Sequence, residues 1–458
     1  MLLLPTTVWI RQFGRRILLS NSALLLRTTP QVYLPLHKMF ASRHGTRGSD
    51  HLRFDLDDLK SYTPGDTISG SVVRCKHIVS FEATLTLSLL GRMNGHLKPR
   101  DEDQQVSDDW TLFHTLEEVL FSGPLHLPEA SSEPLRWSFT IQIPTKPVDT
   151  LTKSRTQAGS FLPIDENARH HGLPGTFKGL GRDSNFAAGC FIEYWLTASL
   201  KHTFGSPQKS MATSVVKIDH PHEMVPNDQP EQLTNLSLEG KVQTQRLLLA
   251  ANDTTLSFKQ MVQRLTRSSK VPKVSFQINL TYPRILDINR SNFPLVLDIA
   301  RHGENTSDSL KNTRQEAQIN WFKMSLISYS HIIVADRPPF GNVHKDIHRS
   351  SIDAHLDRTF DKPDSPLVLP LGDQHASLNL GELFQLAFHK EGLSYRVWRP
   401  SHASRPYCVF APIYPDFVTY NIKHTHGIDW QVSVTIAGET QVLRKSVPIK
   451  VIQSTPEI

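Results

Sequence analysis

From residue 52 onward, apolar side chains recur at every second position. Leu52, Phe54 and Leu56 alternate with Arg53, Asp55 and Asp57, and Phe81, Ala83, Leu85, Leu87 and Leu89 alternate with Glu82, Thr84, Thr86 and Ser88. Trp137, Phe139, Ile141 and Ile143 follow the same rule, as do Val274, Phe276, Ile278 and Leu280, and Trp430, Val432, Val434 and Ile436. A period of two puts successive side chains on opposite faces, so each run predicts a strand with one apolar and one wet face. In FIEYWLTASL, Ile192, Tyr194, Leu196, Ala198 and Leu200 share one face. Phe191 and Trp195 occupy the other, which predicts a strand buried on both sides. FPLVLDI, WFKMSLISYSHIIVAD and VPIKVI extend the pattern toward the C-terminus.

Pro-, Gly- and Asp-rich segments separate these runs, with almost no helical pattern between them. Such a series predicts antiparallel sheets packed face to face, an all-β sandwich class. One short helix is expected at FKQMVQRL, where Phe258, Met261, Val262 and Leu265 recur at helical spacing. Thr63-Pro64-Gly65-Asp66 has proline at the second and glycine at the third position of a type II turn. It is expected to close a hairpin between the strand at Leu52 and the strand holding Ile68 and Val72.

The composition shifts to polar and Pro-bearing after VKIDHPHEMVPNDQPEQ. We therefore expect residues 50–220 and 270–455 to form two tandem immunoglobulin-like β-sandwiches, joined by a connector over 221–269 and preceded by a basic extension over 1–49. The polar stretches 301–318 and 340–366 are expected to be long loops of the second sandwich, too poor in apolar residues to offset the entropy of ordering.

Charge sharpens this division. The chain has 50 Lys+Arg against 44 Asp+Glu, but seven of the basic residues and no acidic one lie in 1–49. The remainder is close to neutral, and an even charge balance argues against nucleic-acid binding. In the extension, Ile10, Phe13, Ile17 and Leu24 cluster opposite Arg11, Arg15 and Ser22, the character of a mitochondrial transit peptide, although Leu18, Leu19, Leu25 and Leu26 blur it. A start at Met39 in an over-extended reading frame, or attachment to anionic lipid, fits the same residues.

Candidate chemistry is sparse. Cys75, Cys190 and Cys408 are far apart and suggest neither a disulfide framework nor a zinc site; Cys75 and Cys190, beside strand-like runs, read as small apolar fillers. His424 and His426 would share one face of a strand, half of a metal site, with an exposed loop or strand edge as the alternative, and His170-His171 form a second pair. Gly175, Gly179 and Gly181 in GTFKGLGRD lack the strand-then-helix context of a phosphate cradle. DEDQQVSDD reads as a solvated acidic loop. No hydrolase, zincin or kinase signature is present. The expectation is a non-enzyme with no catalytic residue, cofactor or metal, and with no partner-binding residue identifiable.

Several segments in order carry a resemblance. FDLDDLKSYTPGDTISGSVV, then TLFHTLEEVLFSGP, WSFTIQIP, and GLPGTF leading into CFIEYWLTASL resemble the N-terminal domain of the arrestin family, specifically its fungal arrestin-like (α-arrestin) group. VPKVSFQINLTYPRILDINRSNFPLVLDI and YPDFVTYNIKHTHGIDWQVSVTIAGE resemble the C-terminal arrestin domain. The resemblance spans about residues 50–455 and implies a cytoplasmic adaptor, peripheral to the plasma membrane or endosome, that binds cytosolic tails of transporters or receptors. It implies recruitment of a HECT-type ubiquitin ligase and endocytosis of the cargo. Ligase recruitment in that group uses Pro-Pro-x-Tyr or Leu-Pro-x-Tyr; neither occurs here, and RPPFGN comes nearest with Gly341 at the tyrosine position. The chain also ends soon after the last strand, without the long Pro-rich tail that usually carries such motifs. A coat-like sorting scaffold, or a protein imported into mitochondria by residues 1–49, is the alternative.

Overall fold

The computed structural model describes residues 51–455 except 59–60, 100–105, 116, 130–132, 154, 165–170, 183–185, 205, 223–232, 249–270, 291, 311–312, 336–342, 355–366, 373–375 and 396–406. The extension 1–49, the helix expected at 258–265, His170 and the RPPFGN segment lie outside the described residues.

Strands dominate. The first nine are β1 (Leu52–Leu56), β2 (Thr67–Arg74), β3 (Ile78–Pro99), β4 (Val106–His114), β5 (Glu118–Leu127), β6 (Leu135–Gln142), β7 (Phe177–Arg182), β8 (Phe186–Phe204) and β9 (Ser206–Val216). Next come β10 (Leu233–Gln243), β11 (Lys273–Pro283), β12 (Ile285–Asp287), β13 (Val296–Arg301), β14 (Gln315–Ala335), β15 (Val343–Ala354), β16 (Leu367–Leu371) and β17 (Ala376–Asn379). β18 (Ala387–His389), β19 (Gly392–Tyr395), β20 (Tyr407–Phe410), β21 (Phe417–Val418), β22 (Ile422–Ile436) and β23 (Glu439–Ile452) complete the series.

β1-β2-β6 form one sheet; β4-β3-β8-β7, with β5 on β3 and β9 on β8, form another. Their apolar faces meet in a first core that includes Ile68, Val72, Leu85, Leu87, Trp110, Phe139, Tyr194 and Leu196. Farther along, β10-β11-β13-β17 and β12-β23-β22-β14-β15, with β16 and β21 attached, bury a second core that includes Phe276, Ile278, Leu297, Phe322, Trp430 and Val432. A small sheet, β18-β19-β20, adds Phe388, Leu393 and Tyr395 to the second core. The all-β sandwich class expected from the period-two runs is what the structure contains.

Two long strands join the cores. β14 gives Phe322, Met324 and Leu326 to the second core, then Ile332 and Val334 to the first. β22 runs antiparallel beside it and places Trp430, Val432 and Val434 in the second core but Ile422 in the first. Continuous backbone ladders therefore cross from one core to the other, and Gly48–Ile458 is one compact unit.

The structure departs from several expectations. β1 and β2 do pair, Leu52 opposite Arg74 through Leu56 opposite Gly70, but the Thr63–Asp66 turn does not close that hairpin directly. It forms with Gly65 at φ +98° and an Asp66 N–H to Thr63 carbonyl bond of 3.0 Å. It turns the chain from a bridge between Tyr62 and Ile218 into β2. The connector 221–269 contains β10, whose Leu236, Leu238 and Val242 enter the second core. The stretch 301–318 is two 3-10 turns followed by the start of β14, and 340–366 contains β15, which pairs with β14 from Val343 to Ala354. β15 needed no strong apolar pattern, because an edge strand can be held by the backbone ladder of its partner. β8 is only half-buried at Phe191 and Trp195; the guanidinium of Arg92 lies 5.1 Å from the centroid of each ring and is ion-paired to Glu193 at 2.5 Å. Among the described residues no helix is long and apolar enough to cross a membrane.

Candidate functional site

The ends of β14 and β22 meet the first core at a junction where buried ionic, aromatic and imidazole groups gather. β4 supplies its first half. In VSDDWTLFH the period-two rule sets Val106, Asp108, Trp110 and Leu112 on one face, so Asp108 points inward next to an indole. Its side chain is 7 % exposed and accepts from Arg155 Nη1 at 2.5 Å and from Trp110 Nε1 at 2.9 Å. Arg155 also lies 4.4 Å over the Trp110 ring and donates to the Asp109 carbonyl at 2.6 Å. On its other side Trp110 stacks on Tyr420, with centroids 5.3 Å apart and planes at 12°. The neighbouring Asn421 donates from Nδ2 to the Asp108 backbone carbonyl at 3.5 Å, while its backbone carbonyl accepts from the Ile333 N–H at 3.0 Å. The expected solvated loop at DEDQQVSDD is thus corrected for its described part: Asp108 is a buried acceptor on a strand. A guanidinium and an indole N–H satisfy its carboxylate oxygens.

The second half is built around Phe177 of β7. Its ring lies 4.9 Å from both Tyr414 and Phe417 and 4.8 Å from His424. His220, just after β9, stacks on Phe417 at 4.8 Å. Glycine at 175 is a steric requirement of that packing, since a Cβ there would sit 2.5 Å from the His220 backbone nitrogen. Beside it, Lys390 and Asp219 form an ion pair of 2.6 Å.

His424 and His426 share a strand face, as the His-x-His spacing predicts, but that face is the interior. Each is 3 % exposed, so neither a loop nor an exposed edge describes them. His424 Nδ1 is 2.9 Å from Ser330 Oγ, and His426 Nδ1 is 2.6 Å from Asp416 Oδ1. Among the described residues no group of three or more His, Cys, Asp or Glu could hold a metal ion. The pair reads as packed core: the two rings meet edge to face at 4.7 Å. His171 sits apart from them, its ring edge-on to Tyr420 at 6.1 Å.

The remaining sequence candidates fall elsewhere. Gly179 is needed for close packing, a Cβ there lying 2.9 Å from Cys190 Sγ, and Gly181 pairs with Ala188 in the β7–β8 ladder. Cys190 is buried and its thiol is pushed up to about 12 by burial, the inert filler expected, whereas Cys75 and Cys408 are exposed. Cys75 is corrected on that point, because it lies in the turn after β2 rather than within the strand.

The junction carries a pH dependence. Burial, reinforced by the Lys390 charge and opposed by Asp219, holds the His220 imidazole down to about 4. The unfolded imidazole titrates near 6.5, so between these values the unfolded chain binds the extra proton. His220's contribution is complete above pH 6.5 and is lost as the pH falls toward 4. Urea unfolding should show on the order of 2 kcal/mol less stability at pH 5 than at pH 7 from this group. The His220→Phe variant should lose that part of the difference; an unchanged pH slope would refute the assignment.

No protein-family model matches the chain, and comparison with curated proteins finds no significant relative.

Proposed function

We propose that the chain is an arrestin-like adaptor: two immunoglobulin-like sandwiches in tandem that bind cytosolic parts of membrane transporters or receptors and promote their ubiquitin-linked endocytosis or sorting. The observation that supports this most is the pair of β cores knitted together by β14 and β22. A body of that kind offers broad sheet faces and strand edges, which an extended peptide can use for main-chain pairing. Strongly exposed aromatic side chains on two strands, Phe81 at 93 % and Phe410 at 83 %, supply apolar contact points of the sort a partner protein buries. The ordered segments from FDLDDLKSYTPGDTISGSVV to YPDFVTYNIKHTHGIDWQVSVTIAGE add the sequence resemblance. A HECT-type ligase would be recruited through another protein, since the Pro-Pro-x-Tyr pattern is missing.

Proximity labelling in living cells tests the reading. Enrichment of integral membrane transporters or receptors is expected, and enrichment of soluble enzymes alone would overturn it. The acid-free, Arg-bearing stretch 1–49 favours a second reading, an organelle-imported scaffold. A C-terminal fluorescent fusion separates the two: puncta at the plasma membrane or endosomes support the adaptor, and mitochondrial import supports the scaffold.

A further inference from the structure

At one end of the first core, two facing strands close the inter-sheet space with basic groups where apolar ones would be ordinary. On β2, Ile68, Gly70, Val72 and Arg74 point inward in succession, so Arg74 is the last inward residue of its strand. On β8, Leu196, Ala198, Leu200 and His202 do the same from the opposite sheet. Arg74 is only 4 % exposed and His202 only 7 %.

The guanidinium is poorly compensated. Arg74 Nε donates to the Lys76 carbonyl at 3.1 Å and Nη2 to the His77 carbonyl at 3.4 Å. Nη1 has no hydrogen-bond partner among the described residues, nor has Nδ1 of His202. No carboxylate among the described residues is ion-paired to Arg74, although a buried guanidinium without a counter-charge costs several kcal/mol. Lys76 adds positive charge nearby, exposed in the following turn with its Nζ 3.4 Å from His51 Nε2. Glu82 is close in sequence, but it is exposed, and it is its backbone carbonyl that accepts from Ser80 Oγ at 2.6 Å. Burial, with the Arg74 charge as the lesser cause, lowers the His202 pKa and favours the neutral imidazole, which can serve as a donor here in its Nδ1-protonated tautomer.

We propose that this closed end of the first core is a binding site for one small monovalent anion of the chloride class, held between Arg74 Nη1 and His202 Nδ1–H. One fixed positive charge calls for one negative charge, whereas a phosphate dianion would leave a net charge uncompensated. The anion completes the hydrogen bonding of the guanidinium and removes the cost of its burial.

Thermal unfolding of the full chain in sodium chloride and in sodium gluconate, at equal ionic strength, tests the site. The midpoint should rise by about 2 °C for each tenfold increase in chloride above the dissociation constant, and gluconate should give no such rise. Arg74→Leu should flatten the chloride response. Independently of that variant's folding, chloride-35 NMR of the wild-type chain should show excess line broadening that bromide displaces. Equal midpoints in the two salts, a chloride response retained in folded Arg74→Leu, or absence of displaceable broadening would each overturn the proposal.

Discussion

Replacing Asp108 by alanine lowers the stability of the chain by about 3 kcal/mol, because it strands two donors at once. Arg155 loses the carboxylate 2.5 Å from its Nη1, and Trp110 loses the acceptor 2.9 Å from its indole N–H. The buried indole N–H, stacked on Tyr420, cannot turn to water, and the guanidinium lying over the indole reaches it only in part. Asp108→Asn keeps an acceptor oxygen for the indole and should lose only part of that stability. Urea unfolding followed by tryptophan fluorescence checks both variants, and equal losses would show that charge rather than hydrogen bonding dominates at this position.

Phe177→Ala should cost more, about 4 kcal/mol. The side chain is fully buried and is the one aromatic ring of β7 touching Tyr414, Phe417 and His424 together. Its removal opens a cavity among rigid rings that cannot collapse into it. Phe177→Leu retains most of the volume and should lose less than half as much. The comparison by guanidinium unfolding distinguishes a packing role from a specific aromatic one, the latter predicting that leucine is no better than alanine.

Much of the fold was legible because backbone periodicity is local. Val274, Phe276, Ile278 and Leu280 on β11, and Trp430, Val432, Val434 and Ile436 on β22, face inward as the alternation requires. β10 and β15 were hidden for different reasons. LTNLSLEGKVQ does alternate, but Gly240 interrupts the apolar face and a polar, Pro-bearing stretch precedes it. VHKDIHRSSIDA is polar enough to read as a loop and becomes a strand through its twelve-position pairing with β14. The junction was the least legible part, since Asn421 reaches Asp108 across 313 positions of sequence. One signal was available: Asp108 falls in phase with Val106, Trp110 and Leu112. The His-x-His spacing at 424 and 426 gave the correct shared face, but the rings of Phe177, Tyr414 and Phe417 that gather around His424 come from other elements, which no local pattern records.

The two chains of contact at the junction, through Asp108 and through Phe177, make a single claim about the molecule. The two β cores behave as one cooperative body because β14 and β22 cross between them and the aromatic and ionic groups lock the crossing. Differential scanning calorimetry of the wild type and of an Asp108→Ala/Phe177→Ala double variant tests this most directly. One transition in the wild type, resolving into two in the double variant, is the predicted result; two transitions already in the wild type, or an unsplit peak in a folded double variant, would contradict it.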